Sequence, residues 1–93
     1  MRTARFVKNL DGFKGEARLY ELTPPLQGEW DKRKKARFVV VSAINAMFSG
    51  PETFIFKADK TGEVLDWGEL SGSFKGALDH EQALNNAGYK VKL

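Results

Sequence analysis

The stretch Arg37 to Asp59, RFVVVSAINAMFSGPETFIFKAD, holds the densest apolar run of the chain and limits what the remainder can fold into. Its first limb, Phe38 to Ile44, is β-branched and aromatic, short for a helix, and apolar at successive positions. Neighbouring side chains of a strand point to opposite faces, so a limb apolar on both belongs in the middle of a sheet covered on two sides. The second limb, Thr53 to Ala58, sets Phe54, Phe56 and Ala58 against Thr53, Ile55 and Lys57, the alternation of a half-buried strand. Between them Ser49-Gly50-Pro51 reads as a turn, since glycine is conformationally permissive and proline cannot donate to a ladder.

A length of 93 residues predicts one domain, residues 1–93, with a single core. Hydrophobic residues at 42% and aromatics at 12% place the chain among globular sequences rather than disordered ones. With no cysteine, disulfides and thiolate metal sites are excluded, and a reducing cytoplasm is the expected compartment. The N-terminal MRTARFVKNLDGF has no apolar segment behind its basic residues, and no window reaches membrane-spanning length, so a soluble, unexported protein is expected. Residues 1–37 carry ten Lys and Arg against five Asp and Glu, whereas residues 38–93 carry five against seven. Halves of opposite sign give a bipolar surface if they do not interleave.

Taken in order, Arg5 to Lys8 is a short strand and Asn9-Leu-Asp-Gly12 a turn. Glu16 to Leu22 is open to helix and strand readings and is read as a strand because Gly15 and Thr23-Pro24-Pro25 bracket it at strand length, and the prolines are expected to stop it. Gln27 to Lys35 is polar and without apolar period, the pattern of an exposed connection. Asp59-Lys-Thr-Gly62 is a second tight turn, Val64, Leu65, Trp67 and Leu70 are candidate core or interface residues, and Ser71 to Gly76 reads as a loop. A helix is predicted over residues 80–87. Asp79 is its N-cap, Gln82 completes a capping box, Leu78 packs on Ala83, and Gly88 and Tyr89 close a Schellman end against Leu84. About two turns of helix cannot stand alone, so Leu84, Ala87 and Ala83 must dock on the sheet. Tyr89 to Leu93 alternates as a terminal strand; as an edge it would be protected by Lys90 and Lys92.

Several of these segments together resemble a group of small proteins of unknown function encoded by actinobacteriophages, the viruses of mycobacteria and their relatives. The resemblance is carried by Asn9-Leu-Asp-Gly-Phe-Lys-Gly15, Leu19-Tyr20, Val40-Val-Ser-Ala43 and Ser49-Gly-Pro-Glu-Thr53, and by Gly62 to Leu70, Leu78-Asp-His-Glu81 and Ala87-Gly-Tyr89. It implies a phage gene product acting in the host cytoplasm. No catalytic motif comes with it.

Chemistry-bearing residues are sparse. His80 lies between Asp79 and Glu81, but consecutive helical residues point about 100° apart and cannot all face one ion, so an acidic first helical turn is the better account. The serines lack a nucleophile-elbow frame, and the glycines at 68, 72 and 76 lack phosphate-loop spacing. Glu63, Asp66 and Glu69 around Trp67 fit solvated loop charges better than an acidic rim. No cofactor, metal or small-molecule substrate is expected, and no enzyme activity. The candidate partner-binding residues are Trp30, Lys32, Arg33, Lys34, Lys35 and Arg37, together with Asp11, Phe13 and Trp67. The expected function is binding of a host or phage macromolecule, or self-association through a sheet edge. The alternative is weak nucleic-acid binding, in which residues 32–37 contact phosphates and Trp30 stacks on bases. The fold expected is a single α+β domain, a mainly antiparallel sheet with strands near 4–8, 16–22, 37–47, 53–58 and 89–93 and one short C-terminal helix. Far-ultraviolet circular dichroism should be dominated by strand; a mostly helical spectrum would refute this fold.

Overall fold

A computed structural model describes residues 2–11, 15–27, 35–46, 50–66, 73–76 and 79–92. The chain forms strands β1 (Thr3–Leu10), β2 (Glu16–Gln27), β3 (Lys35–Ala46), β4 (Gly50–Ala58), β5 (Val64–Asp66) and β6 (Phe74–Lys75), then helix α1 (His80–Asn86) and strand β7 (Lys90–Lys92). The sheet order is β5-β4-β3-β2-β1-β7, with β6 also on the outer edge of β4. Strands β1 to β5 form an antiparallel meander, and β7 lies parallel to β1 after the crossover through α1. The sheet is therefore mixed. No helix among the described residues is long and apolar enough to cross a membrane.

As its sequence predicts, β3 lies inside the sheet, and Val39, Val40 and Val41 are all fully buried. They feed opposite faces. Val39 and Val41 join Ala4, Tyr20, Leu22 and Ile55 under Ala83, Leu84 and Tyr89, and Val40 packs with Ala17, Leu19 and Ala58 on the other side. That second face is closed partly by the sheet's own coiling. The turn after β4 reaches across to β1, where Gly62 stands so close to Leu10 that a Cβ would lie 2.6 Å from its Cδ2. Asp59 holds this turn, its Oδ1 accepting from the Thr61 N–H at 2.9 Å, the Glu63 N–H at 3.0 Å and the Thr61 hydroxyl at 2.6 Å. In β4, Thr53 and Ile55 are buried against the helix face, while the rings of Phe54 and Phe56, 6.0 Å apart, are half-buried on the other.

The prolines behave differently from expectation. Thr23-Pro24-Pro25 does not end β2, which continues to Gln27 with a cis Thr23–Pro24 bond. Pairing with β3 stops at Glu21 and resumes at Leu26, so both prolines fall in an unpaired interval where no N–H is needed. Gln27 and Lys35 are consequently paired strand residues rather than parts of an exposed connection. Pro51 and Gly50 likewise belong to β4, opposite Asn45 and Ala46. The Pro51 carbonyl accepts from Gly76 N–H at 2.7 Å on the β6 side. In an antiparallel strand the N–H and C=O of one residue point the same way, so the missing donor lies outside the β3–β4 ladder. Phe74 and Lys75, expected in a loop, pair with Thr53 and Glu52.

Both ends of α1 are built largely as the sequence dictates. Asp79 Oδ1 accepts from the Gln82 N–H at 3.0 Å, while the Gly88 N–H donates to Asn85 O at 3.0 Å and the Tyr89 N–H to Leu84 O at 2.9 Å, the two bonds of a Schellman end. Gly88 sits at φ +96°, the left-handed region that end requires. The reciprocal half of the capping box is not made. Gln82 Nε2 donates instead to Asn86 Oδ1 at 2.7 Å, and the Asp79 N–H donates to Thr53 Oγ1 at 3.1 Å, which ties the helix start to β4. Leu78, expected as a staple, lies outside the described residues. Tyr89 is buried ahead of β7 and its hydroxyl donates to Pro24 O, so the terminal strand is shorter than its alternation predicts.

Leu84 is the main apolar anchor of α1. Leu84→Ala should cost about 2–5 kcal/mol in urea unfolding, while Leu65→Ala, at a site 57% exposed, should stay within about 0.5 kcal/mol. Equal losses would contradict this packing.

Candidate functional site

Among the described residues, two surface features combine several charged or polar side chains. The first lies on the face opposite α1, at the end of the sheet where β1 begins. Ala4 and Phe6 pack under the helix, so Arg5 between them points to the other face, and Tyr20 and Leu22 set Glu21 the same way. Glu21 Oε1 accepts from Arg5 Nη2 at 2.8 Å and Nε at 3.3 Å, and its Oε2 accepts from Arg37 Nε at 3.3 Å. One carboxylate thus holds two guanidinium groups whose side chains remain 60% and 70% exposed. The Arg5 bond, foremost, and the Arg37 charge keep the Glu21 carboxyl below its ordinary pKa. In β7, Val91 packs into the helix-side core, which leaves the exposed Lys90 and Lys92 directed to the opposite face. Lys92 stands beside Arg5 in the register and Lys90 beside Thr3. Arg5, Arg37, Lys90 and Lys92 therefore share one face, with Glu21 as the acid among them. The Arg37 guanidinium carbon lies 6.0 Å from the centroid of the half-buried Phe38 ring.

The second feature is an open cleft of about 450 Å³ at the start of α1, lined by Gly15, Glu16 and Arg18 of β2, Ala43 and Asn45 of β3, and Asp79, His80 and Glu81. Gly15 is required there. It sits at φ +97°, and a Cβ would run into the Ala43 carbonyl oxygen. His80 is buried, and its Nε2 is 3.0 Å from Glu16 O. A carbonyl only accepts, so Nε2 carries the proton and the ring ties α1 to β2. Asp79 is occupied as the cap. Two of the four acid and imidazole groups lining the cleft thus have architectural roles, and among the described residues no three His, Asp or Glu side chains gather in a way that would hold a metal.

Of the residues singled out from sequence, Arg37 enters the basic face. Lys35 starts β3, opposite Gln27, and Asp11 is exposed just after β1. Trp30, Lys32, Arg33, Lys34, Phe13 and Trp67 lie outside the described residues, as do Glu69 and Leu70. Arg5, Glu21, Lys90 and Lys92 were not singled out for binding by sequence, although each stands beside a buried or partly buried residue. Placing β7 against β1 also interleaves the two halves of the chain, so the charge difference between them does not map onto two separate surfaces. Set against protein-family models, curated proteins and solved structures, the chain matches none.

Burial lowers the His80 pKa, outweighing the opposing Glu16 carbonyl bond, and the nearby Arg18 charge lowers it further. The native state then binds fewer protons than the unfolded chain between the lowered value and about 6.5. Stability is full above about pH 6.5 and is lost as pH falls through that window, before the acid-side losses from Glu21 and Asp59, whose pKa values are lowered. The urea midpoint should drop between neutral and mildly acid pH, and His80→Gln, which keeps an N–H for the Glu16 carbonyl, should reduce the drop. The same drop in both proteins would remove His80 as its source.

Proposed function

We propose that this protein is a non-enzymatic binding module, encoded by a phage and acting in the host cytoplasm, that docks a macromolecular partner on the face carrying Arg5, Arg37, Lys90 and Lys92. The observation supporting this is that four exposed cations of β1, β3 and β7 share one face, two of them bonded to Glu21. Like-charged side chains concentrated on one face repel one another, and an anionic partner relieves that repulsion and steers encounter. A two-fold contact of this face with itself would place like charges opposite each other, which disfavours a second copy in that arrangement.

Lysine footprinting tests the docking face whatever the partner's class. In lysate of an actinobacterial host, Lys90 and Lys92 should be protected from acetylation relative to Lys60 and Lys75, which are also exposed. Uniform modification at all four, with and without lysate, would count against the proposal.

A further inference from the structure

From this face we infer that the partner is single-stranded nucleic acid, an inference that rests on the docking proposal above. Charge restricts the class first. Arg5, Arg37, Lys90 and Lys92 lie at one end of neighbouring strands, with Glu21 held between the two arginines. Strands are spaced about 4.8 Å apart, so the three intervals from β7 to β3 make a row of about 14 Å with cations on β7, β1 and β3 and Glu21 on β2. At about 3.4 Å per stacked nucleotide, that row matches roughly four nucleotides of one strand.

Stacking then separates a nucleic acid from an acidic protein surface. At the β3 end of the row the Arg37 guanidinium, bonded through Nε to Glu21, lies near the Phe38 ring. Phe38 packs against the second core cluster yet remains half-buried, so its ring is anchored while part of it meets solvent. A planar guanidinium beside an anchored ring is a surface on which a base can stack, and every base has a face to offer it. Phosphates along the row and a base at its end use both parts. An acidic peptide uses only the first.

Geometry also favours a single strand over a duplex. Duplex bases are read by a helix or a two-stranded ribbon entering the major groove. Here α1 lies on the opposite face, and its sequence, HEQALNN, contains no Lys or Arg. The cations stand on a sheet face instead.

Fluorescence anisotropy on the full chain at low salt tests this, using labelled oligo-dT, oligo-U, a mixed duplex of equal length and poly-L-glutamate. Single strands should bind at least tenfold tighter than the duplex. Lys90→Gln with Lys92→Gln should flatten the log–log salt slope by about 1.4, at about 0.7 per lost phosphate contact on a single strand. Phe38→Leu should weaken binding about 5- to 100-fold with the slope unchanged. Because Phe38 also packs in the core, Arg37→Lys provides a second variant that keeps the charge but removes the planar group, and it too should weaken binding at constant slope. Thermal melts confirm that each variant folds. Single-strand affinity no tighter than about 0.1 mM, equal or tighter duplex binding, or an unchanged slope in the double variant would overturn the inference. Binding of poly-L-glutamate alone, lost in the double variant, would leave the docking face standing and remove nucleic acid as its partner. If neither polyanion binds, both proposals fall.

Discussion

Three successive valines without solvent contact, Val39 to Val41, set the main problem this chain solves. A strand buried on both faces needs two covers, and a chain of 93 residues has little left to build them. One cover is α1, which brings Ala83 and Leu84 over Val39, Val41 and Ile55. The other uses less chain. The sheet coils until the β4–β5 turn meets Leu10, and Ala17, Leu19, Val40 and Ala58 close on themselves with Val7, Phe38 and Val64. Small side chains at positions 17 and 58 suit such a close approach.

A seven-residue helix has too little internal hydrogen bonding to persist alone, so its position depends on what its ends touch. The Asp79 N–H is bound by Thr53 of β4, His80 binds Glu16 of β2, and the Lys90 N–H beyond the helix donates to Arg2 O beside β1. These bonds pin the crossover at both ends and place β7 on the sheet. The position of Lys90 and Lys92 therefore depends on an interaction made by a threonine on the far side of the sheet. Thr53 is fully buried, and a hydroxyl there is justified by the donor it satisfies.

Local chemistry explains which parts of the fold were legible in the sequence. The helix was readable because caps are short-range: Asp79, Gly88 and Tyr89 act within a few residues of themselves. The central valines were readable because alternation reports burial. The prolines misled because their effect depends on register. Pro24 and Pro51 are tolerated only where the neighbouring strand asks for no donor, and no window around either residue states that. The candidate site was less legible than the fold. Arg37 stood out beside other basic residues, whereas Arg5, Lys90 and Lys92 come together only through parallel pairing of two segments more than eighty residues apart.

Glu21 gives the basic face its definition. A carboxylate among four cations reduces the net charge, which by itself weakens attraction for an anion. In return it fixes two guanidinium groups that would otherwise sample many rotamers, and a fixed arginine loses less freedom when it binds. The pair keeps a net positive charge because one acid serves two bases. Since the carboxyl is held below its ordinary pKa, Glu21 stays ionised and the clamp persists throughout the neutral range. Lys90 and Lys92 make the contrasting contribution, exposed charge on flexible stems at an edge strand, which discourages edge-to-edge pairing as readily as it attracts phosphate. The face thus combines an oriented part on β1 and β3 with an adaptable part on β7. Such a division suits a ligand whose anionic backbone varies in path while one planar group docks in a defined place.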